Sequence, residues 1–197
     1  MAVITIGGDA DHDPLCGAAK KRLDNSTYSK QNDVFEHSLG VWEAPGAAYY
    51  QIYRIYVGVE FSLPTTAVVS DIKLRHNNRG YQADGEAYAV RESLRWTASA
   101  EDMWNAIDES TTYAEINVVN SGDQETTLNA TAIADFEWAI KNRNPQWFTF
   151  GIKMFDTIEA NETTELISLI DGQQTSSEYA PPHLVVTYTS RRRVSIT

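Results

Sequence analysis

Residues 49–75 constrain the fold more than any other stretch of the chain. They hold two alternating runs separated by Leu63-Pro64-Thr65-Thr66, a turn whose proline cannot continue a ladder. In the first run, 49–61, Tyr49, Gln51, Tyr53, Ile55, Val57, Val59 and Phe61 share one face. Arg54, Tyr56, Glu60 and Ser62 fall on the other, which is the period of a half-buried strand. In the second run, 68–75, the same alternation predicts Val68, Ile72 and Leu74 facing in and Asp71, Lys73 and Arg75 facing out. Aromatic and β-branched residues suit such a pleated surface. The pair is a hairpin of an all-β core.

The rest of the chain extends that pattern. Short strands are expected at 3–6, 33–39, 85–92, 113–119, 147–155, 165–170 and 183–189, with turn signals at Asn77-Asn78-Arg79-Gly80 and Asn120-Ser121-Gly122-Asp123. Segment 7–17 is polar and turn-rich, and 18–23 is too short to assign. Ser99 to Asp102 can cap a short helical turn carrying Met103, Trp104 and Ile107. The one convincing helix spans about 131–142: Thr131 is the expected N-cap and Ile133, Phe136 and Ile140 form one apolar stripe. Lys141 and Arg143 suit its C-terminal end, and Pro145 stops it. No internal repeat or linker is visible. The fold class predicted is all-β: a jelly-roll-like antiparallel β-sandwich with one short helix. Residues 49–190 make the sandwich, 1–48 are an N-terminal arm or peripheral strands with weak periodicity, and 191–197 are a basic tail.

Charge narrows the partners. The 197 residues carry a formal net charge of -11, which repels nucleic-acid phosphates and anionic lipid. No run approaches the ~18 apolar residues of a membrane span, and the first residues do not resemble a secretory signal. Cys16 is the single cysteine, so no internal disulfide forms, and without a local histidine or basic partner it is expected to be inert.

Catalytic and metal signatures are sparse. Asp9, Asp11 and Asp13 alternate as in the opening of a calcium loop, so a structural calcium is one reading and a solvated acidic loop the other. The sixth loop position is Pro14 rather than glycine, and the twelfth is Lys20 rather than glutamate, which favours the solvated loop. His12, His37, His76 and His183 show no ligand spacing, there is no Gly-x-Ser-x-Gly, and no carboxylate pair stands out. A non-enzymatic protein without cofactor is expected. Aromatics are the richer signal. Trp42, Trp96, Trp104, Trp138 and Trp147, with ten tyrosines, either fill the core and subunit contacts or stack on sugar rings. Trp96 beside Arg95 and Tyr81 beside Arg79 are the pairs expected to form a sugar platform. Arg191, Arg192 and Arg193 are a docking tail for an acidic neighbour or a solvated terminus.

Several of these stretches resemble one family in order and spacing. Tyr53-Arg54-Ile55-Tyr56-Val57 with Leu63-Pro64, then Ile72-Lys73-Leu74-Arg75, is similar to the opening hairpin of the DNRLRE-type β-sandwich domain. Met103-Trp104-Asn105, Leu128-Asn129-Ala130-Thr131-Ala132-Ile133 and Phe150-Gly151-Ile152-Lys153 resemble its later junctions. The stretch from Tyr179 to Tyr188, through Pro182-His183-Leu184-Val185-Val186, resembles its closing strand. Residues 1–48 lie outside the match. The resemblance implies a jelly-roll-like sandwich, used either as a carbohydrate-binding accessory module or as a stand-alone structural protein of bacteriophage virions. The short chain, its own methionine and the lack of a signal or catalytic domain favour the virion. The implied role is capsid decoration, a head fibre or a tail-associated protein, assembling with other virion proteins and with itself. Recognition of a polysaccharide through exposed aromatics is the alternative.

Overall fold

The computed structural model describes residues 1–7, 15–23, 27–32, 36–43, 50–78, 87–92, 94–95, 97–107, 111–118, 122–154, 166–171 and 182–190, with the backbone alone at 15–17, 31–32, 36–38, 41–43, 92 and 166–171. The chain is an all-β sandwich of antiparallel strands with two short helices.

The front sheet runs β3 (Tyr28–Asn32), β2 (Leu15–Arg22), β5 (Tyr50–Phe61), β10 (Gln146–Met154), β7 (Ala87–Glu92), β8 (Thr112–Ile116). The back sheet runs β1 (Ala2–Ile6), β12 (His183–Ser190), β6 (Ala67–Asn78), β9 (Gly122–Thr127). Between them β4 (Glu36–Glu43) pairs with the start of β5, and β11 (Leu166–Asp171) pairs with β4 and touches β6 at Asn78. The ladder is therefore continuous from one sheet to the other. Ile55, Val57 and Val59 of β5 and Phe148, Phe150 and Ile152 of β10 meet Ile72 and Leu74 of β6 and Leu184 and Val186 of β12 in one core. Strands β1, β2 and β4 carry Ile6, Ala18, Ala19 and Leu39 into buried positions, so segment 1–48 contributes strands to both sheets. Strands β2 and β3 form where the sequence offered only loop or an unassignable run.

Two alternations differ from expectation. Ala67 and Val69 face the core while Val68 is 46% exposed, although Ile72 and Leu74 face in as predicted. The cause is a β-bulge: Thr187 pairs with Asp71 and Tyr188 with Val69, so Ser70 is an extra residue in β6 and the parity changes there. Asn77 and Asn78 are not a turn. They extend β6, buried between β9 and β11, and Asn77 donates to Asp123 Oδ1 at 2.9 Å.

The second difference is β5, which is buried on both faces along most of its length rather than half-buried. Helix α1 (Ala100–Ile107) covers its outer side, and Ile52 and Tyr56 pack there with Met103, Trp104 and Ile107. Gly151 makes this approach feasible: a Cβ at that position would lie 2.7 Å from two carbons of Ile107. Ser99 Oγ accepts from Asp102 N at 3.1 Å and caps α1, as the sequence suggested.

Helix α2 (Ala130–Asn142) closes one end of the sandwich over Phe61 and Phe148. Its N-cap is Asn129, not Thr131: the Asn129 side chain accepts from the Thr131 and Ala132 amides at 3.0 and 3.1 Å. Both residues can cap; Asn129 wins because its extended backbone sits one residue before the first helical turn. A polar clamp ties the helix to β7 and β8. Arg91 grips Asp135 with two hydrogen bonds of 2.8 and 2.9 Å, and the Tyr113 hydroxyl donates to Asp135 at 2.8 Å. Burial, then the Asp135 carboxylate, pushes the Tyr113 hydroxyl above its ordinary titration range. Asp135→Ala leaves that buried hydroxyl without its acceptor, and the expected loss is about 1–3 kcal/mol. Urea unfolding of the two proteins measures it; an unchanged midpoint would mean the clamp does not hold the helix.

Candidate functional site

Helix α2 presents two unlike faces. Phe136, Ala139 and Ile140 point into the core, and Trp138 points outward with 55% of its surface exposed. The helix ends at Arg143, whose amide donates to Ala139 O at 3.1 Å. The Arg143 side chain then folds back between two indoles. Its guanidinium carbon lies 5.3 Å from the Trp138 ring centre and 3.3 Å from that of Trp147, and its Nη1 donates to Trp147 O at 2.9 Å. Burial lowers the Arg143 pKa, yet a guanidinium stays charged in a protein. Asn142 Nδ2 donates to Trp138 O at 2.8 Å, one turn back. Gln146 fixes the loop below by bridging Leu63 N, Leu63 O and Ile140 O at 2.7–2.9 Å. The result is a tryptophan–arginine–tryptophan surface on a pinned helix end, flanked by exposed Asn142 and Asn144. An indole held in one orientation beside amide and guanidinium donors can stack on the C–H face of a sugar ring and hydrogen-bond its hydroxyls.

This is a different aromatic group from the one the sequence suggested. Trp96, Tyr81 and Arg79 lie outside the described residues, and Arg95 forms an ion pair with Glu60. Trp104 is buried on the inner face of α1. The Asp9, Asp11 and Asp13 run and the Arg191, Arg192 and Arg193 tail also lie outside the described residues. Among the described residues no group of three His, Cys, Asp or Glu side chains could hold a metal, and no helix is long and apolar enough to cross a membrane. The exposure of Trp138 was legible as the outer position of an amphipathic helix. The Arg143 guanidinium that lies over both Trp138 and Trp147 was not, because that depends on where β10 begins.

Several cations that sequence left on the surface are used inside the fold. Arg54 is 4% exposed, stacks 4.0 Å from the Trp104 ring centre and donates to Trp104 O at 3.0 Å. Lys30 donates to Ala98 O at 2.7 Å and lies over Tyr56, and Lys20 lies over Tyr53. Burial lowers the pKa of both lysines. Ala19 pairs with Lys30 on one side and Arg54 on the other, so Lys30 and Arg54 share one rung across the front sheet.

At the far end of β6, His76 is 2% exposed. Its Nε2 lies 3.2 Å from Asn117 O, so the neutral ring donates there, and Nδ1 has no partner among the described residues. Burial lowers its pKa from the ordinary 6.5. Protonation in the fold is disfavoured while the unfolded chain still takes up the proton. The contribution is therefore intact above about pH 6.5 and is lost as pH falls below it. Thermal melts from about pH 7 to about pH 5 are expected to show a falling midpoint, and His76→Gln is expected to flatten part of that slope. An identical slope in the variant would assign the acid sensitivity to other groups.

A second surface lies on the back sheet. Of the four large hydrophobic side chains exposed among the described residues, Val3 is 65% and Val68 46% exposed, and both project from the outer side of this sheet. Met1 immediately precedes its first strand, β1, and Trp138 is the fourth. Lys73 and Arg75 on β6 pair with Glu125 on β9 across the same face. No family model matches the chain, and no curated protein matches it.

Proposed function

We propose that this chain is a non-enzymatic structural component of a bacteriophage virion: a capsid decoration, head-fibre or tail-associated protein. It acts by protein–protein assembly. The observation that carries the reading is the outlying strand β1, Ala2-Val3-Ile4-Thr5-Ile6, which holds no charged side chain on a chain of net charge -11. Among the described residues, the other strands with a single neighbour carry charge: Lys30 in β3, Glu115 in β8, Asp123 and Glu125 in β9. Charges on edges discourage pairing with other chains, and β1 lacks that protection. The resemblance to the DNRLRE-type sandwich supports the same setting. Immunogold labelling and peptide mapping of gradient-purified particles test it. The chain at a fixed copy number per particle is the expected result; its absence from particles, with free protein in the lysate, would sink the reading.

A second reading rests on Trp138, Arg143 and Trp147: a carbohydrate-binding module that recognises a polysaccharide by stacking. Titrating a polysaccharide panel should then quench or shift tryptophan emission, and Trp138→Ala should abolish the change. A flat response across the panel excludes it.

A further inference from the structure

We propose that β1 pairs antiparallel with β1 of a second copy of this chain, about a two-fold axis at Ile4, so that two back sheets become one. The inference rests on the assembly reading for its biological use and names the partner of that edge.

In an antiparallel ladder each residue directs its backbone groups alternately to one neighbour and the other. Strand β1 has β12 on one side, with Ala2 opposite Tyr188 and Ile6 opposite Leu184, and no strand on the other among the described residues. Alternate N–H and C=O groups of β1 therefore face outward along a straight, uncharged edge. The side chains already alternate: Val3 and Thr5 are exposed on the outer face, Ile4 is partly buried and Ile6 is buried.

The choice of a second copy follows from three observations. First, the edge offers no charge by which a basic or acidic partner would be selected, whereas an identical uncharged edge matches it. Second, the strand is complementary to itself. A two-fold axis at Ile4 places Val3 against Thr5 of the copy on the outer face and Ile4 against Ile4 on the inner face. Ala2 then meets Ile6, so β-branched cross-strand pairs form on both faces. Met1 falls beside Gly7 of the copy, so no charged side chains meet there. Third, the exposed large apolar side chains of the described residues concentrate here. Met1, Val3 and Val68 lie on the back sheet or at its start, and joining two such sheets brings two of these patches onto one continuous face. On that face Asp71 lies on the rung of Val3 and Thr187, two strands in from the edge, and Lys73, Arg75 and Glu125 are paired with one another. A closed two-fold contact uses each edge once and stops there.

Light scattering of the purified chain tests this. The expected mass is an even multiple of 22.0 kDa. A double variant, Val3→Lys with Thr5→Lys, places two cations on the exposed side of the edge and is expected to halve that mass while the far-UV spectrum stays the same. An odd multiple, a single-chain mass at every concentration reached, or a mass the double variant leaves unchanged would overturn the proposal. If the double variant does not fold, hydrogen exchange of the wild-type chain decides. Outward amides of residues 2–6 should be protected at high concentration and exchange freely on dilution. Equal exchange at both concentrations overturns the pairing. None of these failures removes the chain from a virion, because particle labelling is read independently of self-association.

Discussion

Phe136→Ala is expected to lower the stability of the chain by about 3–5 kcal/mol, the range found for removing a fully buried aromatic. Phe136 is completely buried, stacks on Phe61 with ring centres 4.6 Å apart and meets Phe148 edge-on at 5.2 Å. It is the peg by which α2 enters the end of the sandwich. Both sheets lean on it, since Phe61 and Phe148 continue into a core that includes β6 and β12. The cavity left by alanine lies between a helix and two rigid strands, so little relaxation fills it. Urea unfolding gives the measurement. A loss under about 1 kcal/mol would mean that the helix is not seated as described.

Trp104→Ala is expected to cost a similar amount, about 3–5 kcal/mol, by a different route. Trp104 lies on the opposite side of β5, packed by α1 against Ile52 and Tyr56 and tilted against Tyr28 at 6.3 Å. Its ring also carries the stacked Arg54 guanidinium. Removing the indole opens a cavity and takes the aromatic face from a buried cation. A second comparison separates the two terms. Trp104→Phe keeps a ring under Arg54 and is expected to recover more than half of the loss. Equal losses for Ala and Phe would show that ring stacking contributes nothing.

These two residues also mark what the sequence conveys about the fold. The inward face Ile55, Val57, Val59 of β5 and the stripe Ile133, Phe136, Ile140 are local patterns, and both survive into the structure. What failed locally was set by distant partners. Arg54 and Tyr56 occupy the polar phase of β5, and only the placement of α1 some fifty residues later buries them. Val68 fails because Ser70 is bulged against β12, from the other end of the chain. Strand β9, Gly-Asp-Gln-Glu-Thr-Thr, offers no apolar face and forms because β6 presents a free edge. The aromatic platform followed the same rule. Trp138 is readable from helical spacing, whereas the neighbours that make it a surface feature come from the loop and strand that follow α2.

The pairing of Ala2 with Tyr188 sets the order in which the protein can be completed. A ribosome delivers β1 long before β12. Until β12 emerges, the charge-free strand β1 therefore lacks the neighbour it has in the fold. Strand β6 likewise waits for β12 from residue 78 until residue 183 has emerged. The back sheet is thus closed by contacts between residues far apart in sequence, and such contacts make folding slow. During that interval the nascent chain displays an uncharged, β-branched segment, so expression at lowered temperature or with a trigger-type chaperone is expected to raise the soluble yield. The same strand that finishes the fold is the one that most needs shielding before the fold exists.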